Sequence, residues 1–267
     1  MMVRCVIAGI DGSEPGLAAA RWAAREAMLR GSGLRLIHVW PPDPYAPPVL
    51  DRAVSELALR HPGLEVQGEQ ADGRAPDVLA DAGHTAGLLV VGSRGLGGFP
   101  GLLLGSVAVE TAGRSPCPVA LVPEQPPGGE RPPEVVLGID TRHPAAPATH
   151  YAFDAAQRRE ARLRAVHAWS LPLPYGSPWA PYAVTEGYRA AWEDEEVQLL
   201  HDVLRGHRRA YPAVPVVNDV RLLSPAKALV KASARAELLV VGRPCGSLSG
   251  VPHTVAHHAR CPVVLVP

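Results

Sequence analysis

The stretch of sequence that decides the fold is LLVVGSRGLGGFPGLLLGSVAVETAGRSPCPVALV, residues 88–122. It begins with the apolar run LLVV (88–91) and ends with a second one, VALV (119–122). Short uninterrupted apolar runs are typical of strands that are buried on both faces of a parallel sheet. A glycine-rich loop and a predicted helix lie between the runs. The stretch therefore indicates a strand, a loop, a helix and a strand in series.

The glycines between the two runs have the spacing G-x2-G-x9-G-S, formed by Gly92, Gly95, Gly105 and Ser106. Glycine lets backbone N–H groups approach a ligand because no Cβ stands in the way. Ser106 is expected to cap the helix that begins near Val107, and the free N–H groups and positive dipole of that helix end favour an anion. A flexible surface loop is the alternative, and glycine content alone favours it. The elements around the loop favour phosphate binding instead.

The segment GSRG (92–95), followed by Gly105-Ser106, resembles the nucleotide loop of ATP-binding universal stress proteins. In that family the aspartate after the first strand lies near the nucleoside, the residue that ends the second strand contacts the base, and the glycine loop wraps the phosphates. The resemblance therefore implies ATP, with or without Mg²⁺, as the bound molecule. Carried over residue by residue, it implies a site formed by Gly9, Asp11, Val39, Gly92, Ser93, Arg94, Gly95, Gly105, Ser106 and Val107.

Two residues of this predicted site have specific expectations attached. Gly9 is expected to leave room for the nucleotide. Arg94 either adds charge to the phosphates, which guanidinium groups bind well, or points to water.

The periodicity along the first half predicts an α/β fold. Strands are expected at 3–10, 34–39, 64–70 and 88–91, and helices at 14–29, 49–60 and 76–86. Alternating strands and helices predict an open parallel sheet with helices on both faces, a Rossmann-like architecture. Ligands of such sheets bind beyond the carboxyl ends of the strands, where Asp11, Val39 and Gly92 fall.

The second half of the chain repeats the first. VVLGID (135–140) matches VIAGID (6–11), AVHAW (165–169) matches LIHVW (36–40), and CPVVLVP at the end matches CPVALVP (117–123). This repeat predicts two tandem domains, 1–123 and 134–267, joined by a linker at 124–133 that is rich in proline, glycine and charge. Two separate sheets are expected rather than one large sheet. The resemblance implies that the last strands, 119–122 and 263–266, pair either with each other or with a second chain in a homodimer.

The glycine motif is degenerate in the second half. Cys245 replaces the second glycine, Pro244 removes a backbone donor, and the loop is six residues shorter, with Ser249-Gly250 where Gly105-Ser106 stand. A triphosphate is therefore not expected there. Asp140 is interpreted as a turn residue, although adenosine binding without a phosphate cradle stays open. The acidic run 193–196 on a long helix, about 182–207, is interpreted as a solvated face.

Composition excludes several other classes of protein. Lys+Arg and Asp+Glu both number 26 among 267 residues, so no basic footprint for nucleic acid or a membrane surface is present. No apolar run approaches a membrane span or a signal peptide, and a cytoplasmic protein is expected. The four cysteines are interpreted as core residues. His253 and His257 share a helical face without an HExxH pattern, so a metal site is not expected.

Three functions are compatible with these features. The first is a non-enzymatic, ATP-binding regulator of the stress response, in which nucleotide occupancy biases conformation. The second is a slow ATPase or nucleotide-handling enzyme, although no nucleophile elbow or Walker lysine is present. The third is an interaction scaffold that binds no nucleotide.

Overall fold

The structure of this chain is a computed structural model. It describes residues 4–40, 48–95, 104–124, 133–171, 186–244, 246 and 248–267. The proline-rich loop, the centre of the glycine loop, most of the predicted linker and Cys245 lie outside the described residues.

Strands and helices alternate in both halves of the chain. The first half contains β1 Val6–Ile10, α1 Glu14–Arg30, β2 Leu34–Val39, α2 Val49–Arg60, β3 Val66–Ala71, α3 Ala75–Ala82, β4 Leu88–Gly92, α4 Ser106–Arg114 and β5 Val119–Val122. The second half contains β6 Glu134–Gly138, α5 Ala146–Arg158, β7 Arg162–Trp169, α6 Glu186–Ala210, β8 Val216–Leu222, α7 Pro225–Ser233, β9 Leu238–Gly242, α8 Gly250–His258 and β10 Val263–Val266. The predicted α/β fold with parallel strands is confirmed.

Helix α1 shows how the local sequence sets the ends of an element. Ser13 caps its start by accepting a hydrogen bond from the N–H of Gly16 at 3.1 Å. Gly31 ends it in the left-handed conformation, with a φ of 58° that glycine adopts without strain. An alanine-rich face is buried between these ends, whereas Met28, near the end of the helix, is 50% exposed.

The strands of both halves form one continuous sheet in the order β3-β2-β1-β4-β5-β10-β9-β6-β7-β8. Neighbouring described strands are parallel except β5 and β10, which pair antiparallel with Ala120 opposite Val264. The expectation of two separate sheets is therefore wrong. It failed because β5 and β10 are the apolar edge strands of their own halves. Each has one edge without a partner in its own half, and the two free edges pair with each other. Of the two expected arrangements of the last strands, the structure shows the pairing with each other, and both edges of each strand are occupied within the chain.

The hydrophobic core follows this sheet across the junction. One cluster covers the face against α1, α2, α5 and α6, and the other covers the face against α3, α4, α7 and α8. Cys117 and Cys261 are buried beside β5 and β10, as predicted, while Cys5 is partly buried. Among the described residues, none of the helices is both long and apolar enough to cross a bilayer.

A buried charge network also joins the halves. Glu26 of α1 is 1% exposed, accepts a hydrogen bond from Arg30 at 2.7 Å, and pairs with Arg159 of the second half. Arg30 also donates to the hydroxyl of Tyr151 in α5 at 2.5 Å. Burial acts to raise the pKa of Glu26, but Arg159 and Arg30 outweigh it, and the net pKa is lowered. Glu26 is therefore ionised inside the interface.

Candidate functional site

Three chain segments meet at the carboxyl ends of β1, β2 and β4. Strand β1 pairs with β2 up to Ile10 and His38, so Asp11 and Val39 follow directly beside each other. Strand β4 lies on the other side of β1 and ends at Gly92, where the glycine loop begins. The topology therefore brings Asp11, Val39 and Gly92 to one edge of the sheet, as the sequence predicts.

Asp11 is held in a tight turn. Its Oδ1 accepts the backbone N–H of Ser13 at 3.0 Å and the Ser13 hydroxyl at 2.5 Å. Ser13 is in turn the N-cap of α1. Helix α1 thus fixes the orientation of the Asp11 carboxylate, and a fixed carboxylate can accept hydrogen bonds from ligand hydroxyl or amino groups.

The beginning of the glycine loop lies against Asp11. A Cβ placed on Gly95 would lie 2.7 Å from Asp11 Oδ2, closer than real Cβ contacts. A Cβ on Gly92 would lie 3.0 Å from the carbonyl oxygens of both Arg94 and Pro15. Both glycines are therefore required by close approach, and the loop backbone and the Asp11 carboxylate form one surface.

The two ends of the loop are tied together. The N–H of Gly105 donates to the carbonyl of Ser93 at 2.8 Å, and the N–H of Ser93 donates to the carbonyl of Val122 in β5 at 2.8 Å. Residues 96–103 between these ends lie outside the described residues. The described ends bring Gly95 and the start of α4 to the same place.

Helix α4 begins at Ser106, and Gly105 occupies the N-cap position without a side-chain hydrogen bond. The prediction that Ser106 caps this helix is therefore wrong by one position, because Gly105 N is bonded to Ser93 and its carbonyl accepts the N–H of Val109 at 3.1 Å. The N–H groups of Ser106, Val107 and Ala108 occupy the first turn, where helix geometry supplies no acceptor. A helix start whose cap has no side chain is open to an anion.

Gly9 and Arg94 differ from the expectations for them. A Cβ on Gly9 would lie 2.8 Å from Leu79 of α3, so the glycine makes room for helix packing rather than for a ligand. Arg94 is 45% exposed, and its Nη1 lies 3.9 Å from Glu124 Oε2. Arg94 is therefore half-exposed at the rim of the site and faces an acidic side chain. This position matches neither a side chain that points only to water nor one that is committed to the phosphates.

His38 is a residue of this edge that sequence reasoning missed. It is 8% exposed, and its ring stacks on Trp40 with the ring centroids 6.3 Å apart. Burial lowers its pKa, and the nearby charge of Asp11 opposes that shift without cancelling it. The available signal was the recurrence of His and Trp in LIHVW and AVHAW.

The lowered pKa of His38 predicts a pH dependence of stability. Because the folded state favours the neutral imidazole, its contribution is complete above the unfolded pKa of about 6.5 and is lost as the pH falls through the lower folded value. We expect the free energy of unfolding to decrease on acidification from pH 7.5 to 5.5, and His38→Gln to make that decrease smaller. Urea denaturation at both pH values measures this, with the exposed His84→Gln as control. Equal pH dependence in His38→Gln and the parent chain would contradict it.

The corresponding edge of the second half is built differently. Asp140 Oδ1 accepts the backbone N–H of Arg142 at 2.9 Å, which confirms its interpretation as a turn residue. Helix α8 has Ser249 at its N-cap, the position that the repeat aligns with Gly105 of the first half. Glu196 does not belong to a solvated face, since it is 6% exposed and bonds Arg142 at 2.6 Å and His167 at 3.0 Å. The prediction of a solvated face failed at Glu196 because its partners, Arg142 after β6 and His167 in β7, are distant in sequence.

The paired histidines of α8 lie together as their spacing predicts. The ring centroids of His253 and His257 are 4.5 Å apart. Among the residues that the structure describes, no three histidine, cysteine or carboxylate side chains come together as metal ligands.

Comparisons with known proteins identify the family. The model of the universal stress protein family matches residues 2–123 and 133–267. The universal stress protein Rv2623 of Mycobacterium tuberculosis is 33% identical over 289 residues, which cover 97% of this chain and 95% of that protein. A universal stress protein structure from Archaeoglobus fulgidus has a TM-score of 0.66 at 15% identity, covering 100% of this chain and 99% of that one. A universal stress protein solved in complex with cAMP is 30% identical over 47% of this chain and all of its own, with a TM-score of 0.40. The family model covers nearly the whole sequence in two copies, and this chain therefore belongs to the universal stress protein family.

Proposed function

We propose that this chain is a cytoplasmic, ATP-binding regulator of the stress response that holds one ATP in its first half. The observation that carries the proposal is the convergence of three features: the Asp11 carboxylate, the Gly92–Gly95 backbone and the open start of α4. Together they offer an acceptor for a sugar or base and backbone donors for a polyanion.

The chemistry of ATP fits this arrangement from one end to the other. The phosphates would lie before α4, where the N–H groups of Ser106 and Val107 and the helix dipole favour negative charge. Among the described residues, the atom nearest to a Cβ added at Gly105 would be the carbonyl oxygen of Ser93, 3.7 Å away, so none of these residues requires a glycine there. The missing side chain instead leaves the helix start accessible. Asp11 would accept from the ribose hydroxyls, and the backbone of Val39 would contact the base.

We propose binding without dedicated catalysis. A ligand that binds only the state with an ordered loop stabilises that state by mass action, and this alone can change the conformation that a partner meets. Single-turnover measurements of ATP hydrolysis, with the parent chain and with Asp11→Ala, test this part. Hydrolysis that depends on Asp11 would replace the regulator with a slow ATPase.

The binding itself predicts two linked results. Freshly purified protein should release ATP or another adenine nucleotide when it is denatured and examined by mass spectrometry. Nucleotide-free protein should unfold at a higher temperature in 5 mM ATP than without it, because ligand at about 100 times its dissociation constant adds about 2.7 kcal/mol of stability. An unchanged melting temperature, with and without Mg²⁺, would favour the scaffold that binds no nucleotide.

A further inference from the structure

The second half contains a cavity of about 1000 Å³ at the carboxyl ends of β6, β7 and β9. We call it the second-half cavity. Its apolar wall includes Val166, Leu229 and Val241, and two tryptophans, Trp169 and Trp192, also line it. This volume lies at the upper end of the range for small-molecule sites, and the cavity lies at the edge where parallel sheets bind ligands. Both features indicate a ligand-binding site.

The lining of this cavity does not fit a polyphosphate. Pro244 in the shortened loop and Pro252 in the first turn of α8 both line the cavity, and neither has an N–H to donate. In the first half the equivalent positions lie in the glycine loop and at Ala108, which both have a backbone N–H. The backbone cradle that favours an anion is therefore incomplete here.

The two guanidinium groups in the cavity wall are already engaged. Arg142 directs both terminal nitrogens at the Glu196 carboxylate, at 2.9 and 2.6 Å. Arg243 is 5% exposed and turns away to the first half, where it donates to the carbonyl of Gly113 at 3.2 Å and to that of Ser115. No guanidinium of the described lining is left to replace the missing backbone donors.

The remaining polar lining includes two carboxylates beside Arg142, which is itself paired with Glu196. They belong to Glu195 and to Asp140, whose side chain is 59% exposed and whose Oδ2 lies 3.4 Å from Nδ1 of His143. An ionised carboxylate accepts hydrogen bonds but donates none. A fitting ligand must therefore supply the donors, such as ring amino groups or hydroxyls.

The aromatic lining selects for shape. Trp169 is 6% exposed, and its Nε1 is buried without a hydrogen-bond partner among the described residues. Its counterpart in the first half, Trp40, is 46% exposed. Indole rings pack well on flat rings through offset stacking or edge contacts, so a planar ligand suits this wall better than a flexible chain.

We propose that the second-half cavity binds a nucleoside-type ligand, a planar heterocycle with amino and hydroxyl donors and no phosphate chain. The two halves of the chain would then report on different molecules, a nucleoside triphosphate in the first and an unphosphorylated nucleoside in the second. This proposal concerns residues that take no part in the proposed ATP site.

Calorimetric titration of adenosine into the full chain saturated with ATP tests the proposal. ATP blocks the first half, so the expected result is one further equivalent of adenosine. Ala168→Phe should weaken this second binding roughly tenfold or more, because Ala168 lines the cavity and a phenyl ring would fill it. The matched substitution Val39→Phe, at the equivalent strand end of the first half, should weaken ATP binding and leave adenosine binding to the second half unchanged.

A second variant covers the case in which Ala168→Phe does not fold. Asp140→Asn keeps Oδ1 for the turn but replaces an acceptor by a donor, and it should also weaken adenosine binding roughly tenfold. Adenosine that fails to bind ATP-saturated protein, or binds regardless of both substitutions, overturns the proposal. Binding of a second equivalent of ATP that is lost in Ala168→Phe would also overturn the proposal, because it would place a triphosphate in the second-half cavity. If ATP binds nowhere, the proposed function fails alone, since adenosine binding and its loss in Ala168→Phe can still be measured.

Discussion

Gly105→Asp is expected to weaken ATP binding by roughly 100-fold or more, a change of about 2.7 kcal/mol in binding free energy. Asp is among the best N-cap residues, so its carboxylate would accept hydrogen bonds from the first-turn N–H groups of α4, which we propose bind phosphate. It would also place a negative charge where we propose that the phosphates bind. Gly105 has φ −78° and ψ 153°, which any residue adopts, so the substitution introduces no backbone strain. Calorimetric titration with ATP measures the loss.

The stability of this variant separates blocked binding from misfolding. Because Asp caps a helix better than glycine, we expect Gly105→Asp to be at least as stable as the parent chain, by about a few tenths of a kcal/mol. Ser249→Asp is the matched control, since Ser249 is the N-cap of α8 in the second half. It should leave ATP affinity unchanged. ATP affinity that survives Gly105→Asp would show that the start of α4 does not bind phosphate.

Glu26→Gln is expected to reduce the free energy of unfolding by about 3–5 kcal/mol, the usual cost of removing one member of a buried ion pair. The amide keeps the size of the side chain but removes its charge. Arg159, whose side chain is 4% exposed, and Arg30, 11% exposed, would then remain in the interface without their common carboxylate. Denaturant unfolding followed by circular dichroism measures this loss of stability.

A control on the same helix distinguishes burial from charge alone. Glu14 pairs with Arg21 at 2.7 Å on the exposed side of α1, where the Glu14 side chain is 61% exposed. Glu14→Gln should therefore cost less than about 1 kcal/mol. Similar small effects for Glu14→Gln and Glu26→Gln would mean that the buried network does not hold the halves together.

Local patterns predicted most of the fold. The apolar run LLVVG occurs at 88–92 and 238–242, and both copies form buried strands, because such runs are typical of parallel strands that are covered on both faces. The turn at Asp11 and the cap at Ser13 also follow from residue types that bond their own neighbours in the chain. Predictions of this kind depend on contacts within a few residues, which the sequence displays directly.

Contacts between distant residues could not be predicted in this way. Glu26 and Arg159 are 133 positions apart, and nothing in either neighbourhood indicates the other. The acidic run on α6 gives no sign that Glu196 alone turns inward to His167. Gly9 resembled a ligand-facing glycine because its local sequence is the same whether a nucleotide or Leu79 fills the space. The single sheet likewise depends on how two strand edges meet in three dimensions.

A crystal structure of the chain grown with excess ATP is the decisive test of the proposed site. We expect one ATP per chain, with its phosphates against the N–H groups at the start of α4, its ribose beside Asp11 and its base at the end of β2. A first-half site that stays empty under those conditions, or phosphates bound in the second-half cavity instead, would contradict it.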